Sequence, residues 1–253
     1  MIVIKNKASI LKMEMAGKLL SSIFEEVVSV VKSGVSTAEI DGWIELELKR
    51  KGLVSKTKGY MGYRHSSCIS VNDEVVHGVP SVQRVLKSGD LVKIDVCASW
   101  KGYCADMARC FFVEVPDKQQ KIRKMVDVAN LALYAGVEMA VVGNRLSNVS
   151  ATIQQVVEKE GFGVVRDFAG HGIGKSMHEE PEILNYGEPG RGPILRAGMT
   201  FAIEPMITEG SYQVYVDNDG WTVKTVDRGW AAHVEDTILI TDNGPVFLTR
   251  QQN

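Results

Sequence analysis

Apolar positions recur at helical spacing through much of the chain, and glycines punctuate the periodic runs. The pattern predicts a helix over about 8–33 closed by Gly34, and a second over 37–51 closed by Gly52. Ser36 and Glu39 form a capping-box pattern at the start of the second. Two further helices are expected over 117–142 and 146–160, closed by Gly143 and Gly161, with Asp117 and Gln120 as a looser cap. The segment "GDLVKIDVCASWKGYCADMARCFFVEV" (89–115) changes character. β-formers run to about Ser99, a turn follows at Trp100-Lys101-Gly102, and a second strand begins. "MTFAIEPMI" and "AAHVEDTILI" read as later strands, and the turns "DNDG" and "DRGW" between them suggest a β-meander.

These elements repeat. Gly34 and Gly143 are 109 positions apart, as are Gly52 and Gly161. The same shift carries "LKSGDLVKID" (86–95) onto "LRAGMTFAIE" (195–204), with Gly89 on Gly198 and Asp95 on Glu204. The expected class is α+β: two helix-helix-strand halves, about 9–113 and 118–241, burying one core in a single domain over 1–253. A site on the pseudo-two-fold axis, built from both halves, follows.

Composition narrows the class. With 253 residues, 24% charged and a formal net charge of -2, nothing marks nucleic acid as an obligatory partner. The first thirty residues carry charges throughout and no run is long enough to span a membrane, so a cytoplasmic protein is expected. Cys68, Cys97, Cys104 and Cys110 contain no CxxC pair, which argues against a zinc knuckle.

Charge in the strands points to chemistry. A hairpin centred between Trp100 and Lys101 would set Asp95 directly opposite Asp106 on one face, about 5 Å apart, and Cys97 opposite Cys104. Two facing carboxylates in an apolar hairpin are costly unless a cation or shared proton relieves them. Glu204 ends one later strand, with Pro205 stopping its ladder, and Glu235 lies within another, alternating onto the same face as His233. Four acids and His171 suit two divalent ions; Mn, Fe(II), Co and Zn all remain open. A glycosidase or aspartic-protease pair leaves the histidine unexplained. A Cys68 nucleophile competes with an ordinary buried thiol. "AGHGIGKS" (169–176) fits a loose phosphate-loop pattern, but Pro181, Gly187, Pro189, Gly190, Gly192 and Pro193 exclude the helix that such a loop needs.

"FAGHGIGKSMHEEPEILNY" (168–186), "GYMGY" (59–63), "CISVNDEVVHGVP" (68–80), "FAIEPM" (201–206) and "WTVKTVDRG" (221–229) together resemble the type I methionine aminopeptidases over nearly the whole chain. The resemblance implies the pita-bread fold around a central antiparallel sheet. It implies removal of N-terminal methionine before a small second residue, by a hydroxide held between two metals. Asp106 and Glu235 would bridge the metals, Asp95 would complete one site, and His171 with Glu204 the other, with Glu204 relaying a proton. His77 and His178 match histidines that contact the substrate amide and tetrahedral intermediate. Tyr60, Cys68, Met177 and Trp221 match the methionine pocket. Expected partners are N-terminal Met peptides and nascent chains, with a transient ribosome contact left open, for a monomer without membrane or nucleic acid. Prolidase-like relatives share the ligand set, and a non-catalytic peptide-binding scaffold would share the fold. The chain departs from the family at Cys97, Ala105, Met107, Ala108, Met177 and His233, expected to bear on metal preference and rate.

Overall fold

Helix α1 (Lys7–Val27) begins where the Asn6 side chain accepts a hydrogen bond from Ser9 N–H. It stops six residues short of the predicted end. The run Val28-Ser29-Val30-Val31 is rich in β-branched residues, and the Ser29 hydroxyl donates to the Glu26 carbonyl. The computed structural model describes residues 1–114 and 119–250. Helix α2 (Thr37–Arg50) carries the predicted capping box, with Ser36 and Glu39 bonded reciprocally. Helix α3 (Gln120–Glu138) ends before the predicted residue 142, and the Asp117 cap lies outside the described residues. Helix α4 (Leu146–Lys159) matches its predicted span within a residue.

The 109-residue repeat has a backbone counterpart. Gly34 N–H donates to Leu86 O at 2.9 Å, and Gly143 N–H to Leu195 O at 3.0 Å. Isolated bridges join Ser36 to Val85 and Arg145 to Ile194 at the same spacing. Gly34 and Gly143 both have positive φ, 86° and 87°, so these glycines lock helix pairs to the loops before the strands.

The strands follow in order: β1 (Val54–Ser55), β2 (Cys68–Val71), β3 (Leu91–Trp100), β4 (Tyr103–Phe112), β5 (Gly163–Val164), β6 (Gly170–Gly172), β7 (Glu179–Ile183), β8 (Thr200–Ile203), β9 (Met206–Thr208), β10 (Val214–Val216), β11 (Val223–Thr225), β12 (Ala231–His233), β13 (Glu235–Thr241) and β14 (Gly244–Phe247). Among the described residues, an antiparallel sheet runs β1-β3-β4-β13-β8-β6-β7, with β2 beside β3 and β14 beside β13. Val92, Ile94 and Val96 pack with Leu20, Phe24, Ile40 and Ile44 of α1 and α2. Phe201, Ile203 and Ile238 pack with Met125, Leu133, Val149 and Ile153 of α3 and α4. The helices therefore cover one face of the sheet, and alternation turns Lys93, Asp95 and Cys97 to the other.

Two expectations of strand pairing are corrected. The β3–β4 hairpin pairs Trp100 with Tyr103, Cys97 with Asp106 and Asp95 with Ala108. Lys101 and Gly102 both have positive φ, 46° and 79°, so the turn is a two-residue one and its centre lies one residue later than predicted. Asp95 and Asp106 keep a common face but sit diagonally, and Cys104 opposes Ser99 rather than Cys97. The meander is not one sheet either. β10 and β11 form their own hairpin, while β12 returns to β9 in a small sheet with β5. Pro205, which has no N–H to offer a ladder, marks the point where the chain leaves the large sheet after β8. Val234 marks its re-entry before β13, and Val234 N–H meets Pro205 O at 3.4 Å.

Candidate active site

The two crossings bring the acids together. Asp95 pairs with Ala108, and Ala108 with Glu235, so these three form one row across β3, β4 and β13. Continuing the β8–β13 register by one residue sets Glu204 beside Glu235. The adjacent row holds Cys97 and Asp106 on β3 and β4, and Ala202 and His171 on β8 and β6. The small side chains of Ala108 and Ala202 stand among the acids, with Thr237 between Asp106 and Ala202. Ligand atoms of Asp106, His171 and Glu235 lie within 4.8 Å of one another, and so do those of Glu204, His233 and Glu235.

This cluster is electrostatically uncompensated. Among the described residues no Lys or Arg nitrogen pairs with Asp95, Asp106, Glu204 or Glu235; the charge contacts are from His171 to Asp106 (3.9 Å) and Glu204 (3.6 Å), and from His233 to Glu204 (3.3 Å). Asp106 Oδ1, Glu235 Oε1 and His233 Nε2 are buried without a hydrogen-bond partner. Burial, then the charge of Glu204, pushes Asp106 up to about 7. Burial pushes Glu204 up to about 8. Burial and the Asp106 charge hold Asp95 and Glu235 well above the carboxylate range. Burial also lowers His171 to about 4, so its ring is neutral. His171 Nδ1 lies 3.0 Å from the Gly172 carbonyl and must carry the proton. Nε2 then presents a bare lone pair towards two carboxyl groups, which is repulsive once they ionise unless a cation lies between them. Orphaned carboxylate oxygens, a directed imidazole and small neighbouring side chains fit divalent cations coordinated by oxygen and nitrogen.

Every residue expected at the site lines one cavity of about 110 Å³: Tyr60, Cys68, His77, Met177, His178 and Trp221 beside the five acid and histidine residues. Cys68 lies directly across the β2–β3 ladder from Asp95. Tyr60 OH meets His178 Nδ1 at 2.9 Å, and the His178 ring stands edge-on to His171 at 4.4 Å. His77 packs edge-on to Phe168, and burial lowers it to about 4. Sequence reasoning missed Thr57 and Tyr63 as lining residues. Tyr63 packs against Trp221 with ring centroids 5.0 Å apart, and its OH bonds the Ser67 and Gly78 carbonyls. The doubled tyrosine of "GYMGY" was the available signal. The departures from the family also divide. Ala105 and Met107 pack into the helix-side core, away from the acids. Cys97, Ala108, Met177 and His233 face the site side.

"AGHGIGKS" forms the short strand β6 and a bend, with no helix after it. Its glycines serve the sheet. A Cβ on Gly170 would overlap the Ala202 carbonyl, and one on Gly172 the Glu180 carbonyl, because β8 and β7 close tightly on either side of His171. Lys175 N–H and Ser176 N–H both reach Glu179 Oε1, a carboxylate that also pairs with Lys5 at 2.8 Å. Gly172→Ala should therefore cost about 1–3 kcal/mol. It should also weaken metal-induced stabilisation by displacing His171. Thermal melts with and without divalent ion check this; an unchanged pair of curves would refute the tight-closure account.

The comparisons accord with this geometry. The model of metallopeptidase family M24 matches residues 11–242. The chain is 46% identical to the methionine aminopeptidase of Clostridium acetobutylicum, covering 98% of this chain and 99% of that one. Its fold superposes on the crystal structure of methionine aminopeptidase from Thermotoga maritima with a TM-score of 0.96, at 43% identity over 99% of this chain and 100% of the other. Prolidase from Pyrococcus furiosus gives 0.79 at 26% identity, covering 99% of this chain and 66% of that one. The chain thus has the curled antiparallel sheet of the pita-bread fold and belongs to metallopeptidase family M24, among its methionine aminopeptidases.

Proposed function

We propose that the protein removes N-terminal methionine from peptides and nascent chains with a small second residue. The carrying observation is the convergence of Asp95, Asp106, His171, Glu204 and Glu235 at a pocket walled by Tyr60, Tyr63, Cys68, Met177 and Trp221. In this reading Asp95, Asp106, His171, Glu204 and Glu235 would together hold two divalent ions. Such ions supply Lewis acidity and a nucleophile drawn from water at neutral pH. Soft and aromatic walls suit a flexible thioether side chain. The carboxylates also attract the α-ammonium of a chain terminus, which favours a terminal over an internal residue. His178, fixed through Tyr60, and His77 are neutral and can donate to the substrate carbonyl and amide. Glu204, ionised when it holds a divalent ion, would take a proton and pass it to the leaving amine. His233 Nε2 stands 3.3 Å from Glu204 Oε2, within reach of it but not hydrogen-bonded to it. Among the described residues no helix is long and apolar enough to cross a membrane. We infer one catalytic domain, working in the cytoplasm as a monomer on peptides and nascent chains.

The test is peptide turnover. Metal-reconstituted protein should release Met from Met-Ala-Ser, release far less from Met-Lys-Ser, and lose the activity to chelator. Cleavage confined to Ala-Pro-Ser would indicate a prolidase instead. Folded protein inert with Mn, Fe(II), Co and Zn would indicate a binding scaffold.

A further inference from the structure

Lys93 is 1% exposed and heads the largest fully buried side chains. It lies on β3 two residues before Asp95, and nothing in the proposed reaction uses it. Its ammonium donates to the Asn72 carbonyl at 2.8 Å. The same carbonyl accepts Ala231 N–H at 3.0 Å, at the start of the strand that ends in His233. Across β4, Cys110 pairs with Lys93, and its thiol donates to the His233 carbonyl at 3.3 Å. Three segments of the site therefore meet at one carbonyl: β3 with Asp95, β12 with His233, and the loop from Asn72 to His77.

That loop needs fixing at both ends. Asn72 and His77 both hold φ of +58°, a conformation that a histidine rarely adopts unaided. The far end is tied by Ile69 N–H to Gly78 O at 2.8 Å and Gly78 N–H to Ser70 Oγ at 3.0 Å. At the near end, the Asn72 side chain clasps Leu91 N–H and Asp90, and its carbonyl carries Lys93.

We propose that Lys93 is a positioning residue whose buried ammonium, clamped on the Asn72 carbonyl, holds the His77 loop in place against the strand carrying Asp95. This rests on the proposed aminopeptidase reading, in which His77 touches substrate. A lysine that only filled space would be a poor choice, because an apolar side chain of similar length avoids the cost of burying charge. Its use as a hydrogen-bonded cation at a shared carbonyl is what distinguishes it from packing.

Lys93→Met tests this directly. Its Tm should be equal to or above that of the parent, while kcat on Met-Ala-Ser falls about tenfold or more, with a smaller change in KM. On a His77→Ala background the same substitution should add less than about twofold, since the two act through one loop. A second readout needs no turnover. With five histidines in the chain, the His77 imidazole signal can be assigned by its loss in His77→Ala. In metal-free Lys93→Met that signal should shift while His65 stays put. Should Lys93→Met fail to fold, Lys93→Gln, which keeps a neutral donor, goes through the same measurements. An unmoved His77 signal, unchanged kcat, or losses that multiply on the His77→Ala background would overturn the proposal. A parent protein that releases no Met defeats the functional reading instead, and the imidazole signal still decides Lys93.

Discussion

Asp106→Asn is expected to lower metal-dependent release of methionine by roughly a thousandfold or more, the order of effect that Lewis-acid stabilisation of several kcal/mol implies. Asparagine keeps the shape of the side chain and removes one charge from the centre of the cluster. Asp106 N–H and carbonyl are both held by the Thr237 hydroxyl at 2.8 Å, so the backbone should stay in place. The variant should carry a second signature. The Asp106 charge helps to hold Asp95 and Glu235 in their protonated range, so its loss lets both ionise more easily. Metal-free Asp106→Asn should therefore melt at a higher temperature than the metal-free parent at pH 8, while gaining less from added divalent ion. Full peptide turnover in this variant would remove Asp106 from the proposed ligand set.

Metal-free protein should lose stability as pH rises from 6.5 to 8. Asp106 is pushed from 3.8 to about 7, and Glu204 from 4.5 to about 8. Carboxyls with raised folded-state pKa bind protons more tightly folded than unfolded, so stability declines from about pH 4 up through these values. One unit is worth about 1.4 kcal/mol, which makes the full effect several kcal/mol, shared among interacting groups rather than summed. The buried imidazoles of His77, His171 and His233, lowered from 6.5 to about 4, oppose this at lower pH, since burial disfavours their charged forms. Above 6.5 the carboxylates dominate; Lys93, lowered by burial to about 8, opposes them only towards the top of the interval. Divalent ions replace those protons, so their stabilising effect should be larger at pH 8 than at pH 6.5. Thermal melts of chelated and metal-loaded protein at both pH values measure it. A chelated protein whose Tm is flat or rising over that interval would contradict the account of the buried acids.

Local chemistry made much of this legible. The Ser36–Glu39 cap, the glycine-closed helices and the 109-residue spacing are written in short segments, because capping and positive φ are decided within a few residues. The end of α1 was harder, since Val27 and Val31 continue an apolar pattern while the β-branched run beyond Val27 breaks the helix. The hairpin register turned on a single residue of turn geometry, which alternation alone does not specify. Acids at strand positions were visible as anomalies, and motif resemblance named their companions. Which side of the sheet each departure faced was not visible: Ala105 and Met107 belong to the helix-side core, whereas Ala108 stands between Asp95 and Glu235. The sequence by itself determined the helices, the repeat and the inventory of acids and histidines, because each depends on near neighbours. Tertiary structure alone decided that Pro205 and Val234 would cross between sheets, that β7 and β8 would close on His171, and that Lys93 would meet Asn72. Those contacts join segments far apart in the chain, and no local propensity encodes them.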